Sequence, residues 1–296
     1  MSLTIYHNQR SFNNAFNREK EALQMALLDD NIRTKWGKQQ YDASSLFPNI
    51  TTHDDFIHAV TRQNVFRMIF ANMADKPEDE IFPCEVFVGN EAWVGVDNVE
   101  YRYFTRKSPK HVAVGYTILD FLRAFQTNCD VNSGYCFLMA RRELVDLLNV
   151  SYDESDWEKA EEQKYENNIR LLKRLKGKRA QKHYPNLHQK LDDYFPALEK
   201  ILKNGLRFIN PKRKDKNGYA SFVFYSTSSG LSKKEFEKML SKLKGLDLLI
   251  VESKEDTYLD KNSYNYVTKD LQFFSFPPYS EEFFRELEEK LGSQKE

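Results

Sequence analysis

The chain has 296 residues and a mass of 35.0 kDa, with 44 Lys+Arg against 44 Asp+Glu, 41% apolar residues and 14% aromatic ones. This composition excludes the disordered, collagen-like and coiled-coil classes, and no apolar run approaches the roughly 20 residues that a membrane span needs. The opening MSLTIYHNQRSF lacks the basic and apolar regions of a secretory signal, and Cys84, Cys129 and Cys136 show no CxxC spacing. The expectation is a cytoplasmic protein with reduced thiols, no membrane association, no metal and no cofactor.

In chain order, Ser11 can cap a helix carrying Phe12, Phe16, Leu23 and Leu27, and Thr52 with Asp55 can open a second helix running to Met73. After Pro83 the pattern predicts a three-stranded meander over 85–104 (EVFV, EAWVGV, VEYRYF), turned at Gly89-Asn90 and Asp97-Asn98. From Pro109 come a helix YTILDFLRAFQ, a loop NCDVNSG, a helix CFLMARRELVDLLNVS, a tight turn at Asn149 to Ser151, and one long helix from Asp153 to about Lys182. Trp157, Tyr165, Ile169, Leu172 and Leu175 can form its buried stripe. Two further helices, NLHQKLDDYF and PALEKILKN, end at Gly205, followed by a strand YASFVFYS. Ser232 and Glu235 form a capping box before a helix with Phe236, Met239, Leu240 and Leu243 on its apolar side, ended by Gly245. A β-hairpin from Leu248 to Val267, a strand LQFFSF and a terminal helix capped by Ser280 complete the chain. The fold class expected is α+β: an N-terminal α+β domain (1–108), a helix-turn-helix-like unit with a long basic helix (109–184) and a winged-helix-like unit (185–296).

The zero net charge conceals a division by sign. Residues 1–104 carry 10 Lys+Arg against 15 Asp+Glu, residues 105–245 carry 28 against 17, and residues 246–296 carry 6 against 12. A basic middle flanked by acidic ends can present a positive face to a polyanion. Between Arg170 and Lys190 lie eight basic residues and no acidic one. Arg170, Lys173, Arg174, Lys176, Lys178, Arg179 and Lys182, the loop cations Lys212, Arg213 and Lys214, and Lys233, Lys234, Lys238 and Lys242 on the capped helix are the candidate phosphate contacts. Asn167 and Asn168 are the candidate base readers.

The phrases FLMARRELVDLLNVS leading to ENNIRLLKRLK, and GLSKKEFEKMLSKLKGLDLLIVES, resemble the paired winged-helix units of plasmid and phage replication initiators. The resemblance covers about a quarter of the chain. It implies a non-catalytic protein that binds double-stranded DNA at repeated sites, in replication or as a transcription regulator.

Two other classes stay open. Glu252-Ser253-Lys254 follows the strand LLIV with the ExK spacing of a Mg²⁺-dependent nuclease, for which Asp215 or Asp247 would supply a second carboxylate. The cluster Phe273, Phe274, Phe276, Pro277, Pro278 and Tyr279 could be an exposed protein-binding patch, and the N-terminal domain could mediate self-association. His53, Asp54 and His58 fall short of a metal ligand set, and Cys129 and Cys136 flank a loop as ordinary thiols.

Overall fold

A computed structural model describes residues 9–259 and 266–293, with side chains over 17–255 and 271–293. The fold is α+β, and the chain divides into two compact units, residues 1–155 and 156–296. The boundary falls just inside the long basic helix, whereas the boundaries drawn from the sequence stood at 108 and 184.

In the first unit, α1 (Gln9–Leu27) and α2 (Asp30–Lys35) precede α3 (His53–Thr61) and α4 (Val65–Ile69). α1 begins ahead of Ser11, which therefore lies inside the helix, and Phe12 and Phe16 lie outside the described side chains. The Thr52 side chain accepts from the Asp55 N–H and the Asp55 carboxylate accepts from the Thr52 N–H, a reciprocal cap that stabilises α3 by about 1 kcal/mol. The helix expected to reach Met73 is broken after Thr61. Asn64 leaves helical geometry, and its side-chain amide donates to Glu78 at 2.9 Å.

The sheet of this unit is antiparallel in the order β1 (Phe82–Pro83), β2 (Glu91–Asp97), β3 (Glu100–Arg106), β4 (Val114–Tyr116). EVFV is not a strand: it forms the connection between β1 and β2, where Gly89 at φ 84 turns the chain. Asn98 (φ 47) and Val99 (φ 68) form the tight turn between β2 and β3. α5 (Ile118–Phe125) and α6 (Gly134–Leu147) pack with the inner sheet face around Trp36, whose ring lies 4.7 Å from Phe121, 5.1 Å from Phe70 and 5.3 Å from Tyr103.

The second unit takes in most of α7 (Asp153–Leu175), then α8 (Lys178–His183), α9 (Pro185–Leu191) and α10 (Phe195–Arg207). The continuous helix expected to Lys182 breaks at Gly177, which is extended (φ −75, ψ 151) and restarts the chain as α8. Gly205 does not end its helix either, because α10 runs on to Arg207. A Cβ at position 205 would stand 2.5 Å from the Tyr165 ring and 2.6 Å from that of Phe222, so close approach is what requires glycine there.

Of YASFVFYS, β5 (Phe222–Val223) alone is strand. α11 (Lys233–Gly245) has the expected capping box and buries Phe236, Met239, Leu240 and Leu243. β6 (Ile250–Leu259) and β7 (Tyr266–Ser275) form a ten-pair hairpin in a sheet of order β5-β7-β6, and α12 (Glu281–Ser293) follows, with the Phe283 N–H bonded to the Ser280 hydroxyl at 3.0 Å. The hairpin thus runs to Ser275, past the Val267 limit drawn from the sequence, and its tip lies outside the described residues.

Candidate nucleic-acid interface

Helical periodicity sorts the residues of α7 into an inner and an outer set. Tyr165, Ile169, Leu172 and Leu175 are buried, and Arg170, Lys173 and Arg174 emerge into solvent. Lys176, Lys178, Arg179 and Lys182 on the following turn and α8 are also exposed, and among the described residues they have no ion-pair partner. Lys173 lies 4.0 Å from Glu199 of α10, and Arg174 lies 2.6 Å from Glu281 of α12. The Arg174–Glu281 pair and the Lys173 end of the other are largely solvent-exposed, while Glu199 is half-buried; exposed contacts of this kind add about 0 to 1 kcal/mol at most and yield readily to a stronger anion. Glu199 has its carboxyl held below the usual range, first by the hydrogen bond from Lys203 and then by the charges of Lys203, Lys173 and Lys176. The shift is mainly local to the Glu199–Lys203 pair of α10, with Lys173 and Lys176 of α7 and the turn after it adding to it.

Asn167 and Asn168 are not available to read bases. Asn168 is fully buried, donating to the Pro277 carbonyl at 2.8 Å and accepting from the Tyr279 N–H at 2.7 Å, which fixes the chain before α12. Asn167 is half-buried, donates to the Tyr279 carbonyl at 3.2 Å and accepts from Arg170 at 2.7 Å. Their polar character suggested an outward role; buried amides that satisfy irregular backbone have the same sequence signature.

The loop cations Lys212, Arg213 and Lys214 are exposed on a firmly held turn. Asp215 organises it: Oδ1 accepts from the N–H groups of Asn217 (2.8 Å) and Tyr219 (2.9 Å), and Oδ2 accepts from the Ser275 hydroxyl at 2.6 Å. Glu161 of α7 accepts from the Ala220 N–H and from Lys164, each at 2.7 Å, and the Trp157 indole N–H donates to the Gly218 carbonyl at 3.1 Å. Burial lowers the pKa of the Lys164 ammonium, with Glu161 and Asp215 opposing the shift. Lys214 stacks 4.3 Å from the Trp157 ring centre and Arg213 5.7 Å from that of Phe273. Sequence reasoning gave Asp215 a catalytic option and left Glu161 and Lys164 aside. A helical Glu and Lys three residues apart beside a buried Tyr was the available signal.

On α11, Lys233, Lys234 and Lys238 are exposed, and Lys242 is half-buried with its ammonium 5.0 Å from the Tyr194 ring centre. Lys234 and Lys238 stand opposite Phe236, Leu240 and Leu243, as the 3.6-residue period requires.

Glu252 and Lys254 share one face of β6 and form an ion pair at 2.9 Å, while the Lys254 ammonium donates to the Lys214 carbonyl at 3.4 Å. Both oxygens of Asp215 are engaged in the turn, and among the described residues no three His, Cys, Asp or Glu side chains come together as a metal site. Phe274, Phe276 and Tyr279 are buried in the core of the second unit, and Phe273 is buried with Arg213 and Lys254 beside its ring; Pro278 alone of the cluster is exposed, so it is not an exposed aromatic patch. His53 is buried with Nδ1 2.8 Å from the Tyr152 hydroxyl, and His58 is exposed on α3. Among the described residues no helix is long and apolar enough to cross a membrane.

No protein-family model, no curated protein and no solved structure matches this chain.

Proposed function

We propose that residues 156–296 bind double-stranded DNA chiefly through its phosphates. The observation that carries this reading is the exposed set Lys176, Lys178, Arg179 and Lys182 directly after α7, which has no ion-pair partner among the described residues. Each phosphate neutralised by such a group releases condensed counterions, which is the main source of affinity for a duplex. The depressed Glu199 carboxyl, the prepositioned cations of the 212–214 turn, and a capped helix α11 followed at once by the β6–β7 hairpin add to it. That last order is the one a winged helix presents, and with it goes the proposed role in replication or transcription control. With Asn167 and Asn168 engaged internally, these residues give backbone contacts and little base discrimination.

The test is fluorescence anisotropy of the full chain on a labelled duplex of about 20 base pairs at rising salt. Affinity should fall by about 10³-fold or more between roughly 50 and 200 mM salt, the loss expected for six or more phosphate contacts. The variant Lys178→Glu/Arg179→Glu/Lys182→Glu should lose binding with its melting temperature unchanged. Salt-independent binding, or a triple variant that binds as the parent does, would overturn the reading.

A further inference from the structure

The two sides of β7 are unequally used. Along one side it pairs with β6 over Tyr266–Ser275, and along the other it pairs with β5 at Phe273 and Phe274 alone. After Val223 the chain leaves the sheet towards a short 3₁₀ turn, Ser226–Ser228. Where a continuing β5 would run beside Leu271 and Gln272 there is instead a groove of about 810 Å³. Its floor is apolar, with Phe224 stacked on Phe236 of α11, Leu240 and Val251 of β6, and its exposed rim carries Tyr225 and sets Lys233 and Lys244 against Glu237. A strand edge presents the N–H and C=O groups of every second residue, and these demand partners. β6, the other open edge, carries Glu252, Lys254 and Glu255, charges of the kind that discourage strand pairing.

We infer that this groove accepts an extended peptide, which continues the line of β5 as added strand beside β7. Main-chain hydrogen bonds to the β7 edge supply the pairing, and alternate side chains supply selectivity. Those facing the floor are aliphatic, and those reaching the rim are acidic, because two lysines outnumber one glutamate there. The partner is therefore an acidic, aliphatic segment of another protein. The inference does not rest on the DNA reading, although Lys233 is among the α11 lysines offered to phosphates as well as on the groove rim.

The probe is a fluorescein-labelled peptide of alternating glutamate and valine, titrated into the full chain. A second peptide of the same sequence carries N-methyl groups on alternate amides, which removes the strand hydrogen bonds and keeps the charge. Anisotropy should show saturable binding of the first, with N-methylation and the variant Lys233→Glu/Lys244→Glu each weakening it about tenfold or more. Equal affinity for both peptides, or no binding at millimolar peptide, overturns the inference. So does sedimentation showing a dimer that the peptide dissociates, since the groove would then hold a second copy of this chain. Competition by duplex DNA with no effect of N-methylation would also overturn it, assigning the groove to phosphates.

Discussion

The two units use their buried polar groups differently. In the first, Trp36, Phe66, Phe70, Tyr103 and Phe121 form one mass of rings, and the unit carries 16 Lys+Arg against 21 Asp+Glu. In the second, an apolar core is joined to buried polar groups, Asn168, Glu161 and Asp215, and the charge is reversed, 28 against 23. In the first, buried polar pairs tie separate elements together, as Lys20 does with Asp120 at 3.1 Å and His53 with the Tyr152 hydroxyl at 2.8 Å. The second fixes irregular backbone through single hydrogen bonds, and that backbone carries the cations of the 212–214 turn and the approach to α12.

The largest effect separating the two belongs to the ring mass. Phe121→Ala should destabilise by about 3 to 5 kcal/mol in guanidinium unfolding followed by tryptophan fluorescence, as loss of a fully buried Phe does. A smaller cost would mean that the rings collapse into the cavity. Next comes Asn168→Ala, which leaves a buried carbonyl and N–H unpaired and should cost about 1 to 3 kcal/mol. Asn167→Ala should stay within about 0.5 kcal/mol. Neither should alter DNA affinity per folded molecule, and a specific loss of affinity in either would restore the base-reading role.

A pH series probes the first unit again. Burial, and then the hydrogen bond that the protonated Cys136 thiol makes to Cys129, pushes the Cys136 thiol from 9.0 to about 12. The folded state therefore holds this proton more tightly than the unfolded chain. Below about pH 9 the thiol is protonated in both states and contributes no slope; stability then falls as pH rises from 9 towards 12. Urea midpoints should show this slope in the parent and less of it in Cys136→Ala. A small effect of opposite sign concerns the β2–β3 turn, where Val99 holds φ 68, a conformation that β-branched residues resist. Val99→Asn should stabilise by about 0.5 to 1 kcal/mol in thermal unfolding, and no change would mean that the turn is unstrained.

Where local chemistry dictates structure, the sequence was enough. Thr52 with Asp55, Ser232 with Glu235, and Ser280 each announce a helix start through hydrogen bonds confined to one turn, and the α11 apolar stripe follows from periodicity. What escaped depends on distant residues. Val86 and Phe87 have strand-like side chains but sit in a connection set by Gly89 and by the Cys84 N–H bond to the Asn90 carbonyl. Gly205 resembled a helix stop, yet its meaning lies in two rings that meet it from α7 and β5. Most of the cations at the candidate site were legible because exposed charge needs no partner. The asparagines were not, since a polar residue that faces inward looks the same in a sequence as one that faces out.

Because Asp215, Ser275 and Glu161 hold the 213–220 turn before any ligand arrives, a polyanion at Lys212, Arg213 and Lys214 orders almost no backbone. Under the proposed function, association there carries little of the heat-capacity change that accompanies folding on binding. Calorimetry should show a nearly temperature-independent enthalpy and a favourable entropy of ion release. A disordered basic tail of the same charge would give a steep heat-capacity term instead, so the calorimetric trace distinguishes a prefolded contact from one that folds on arrival.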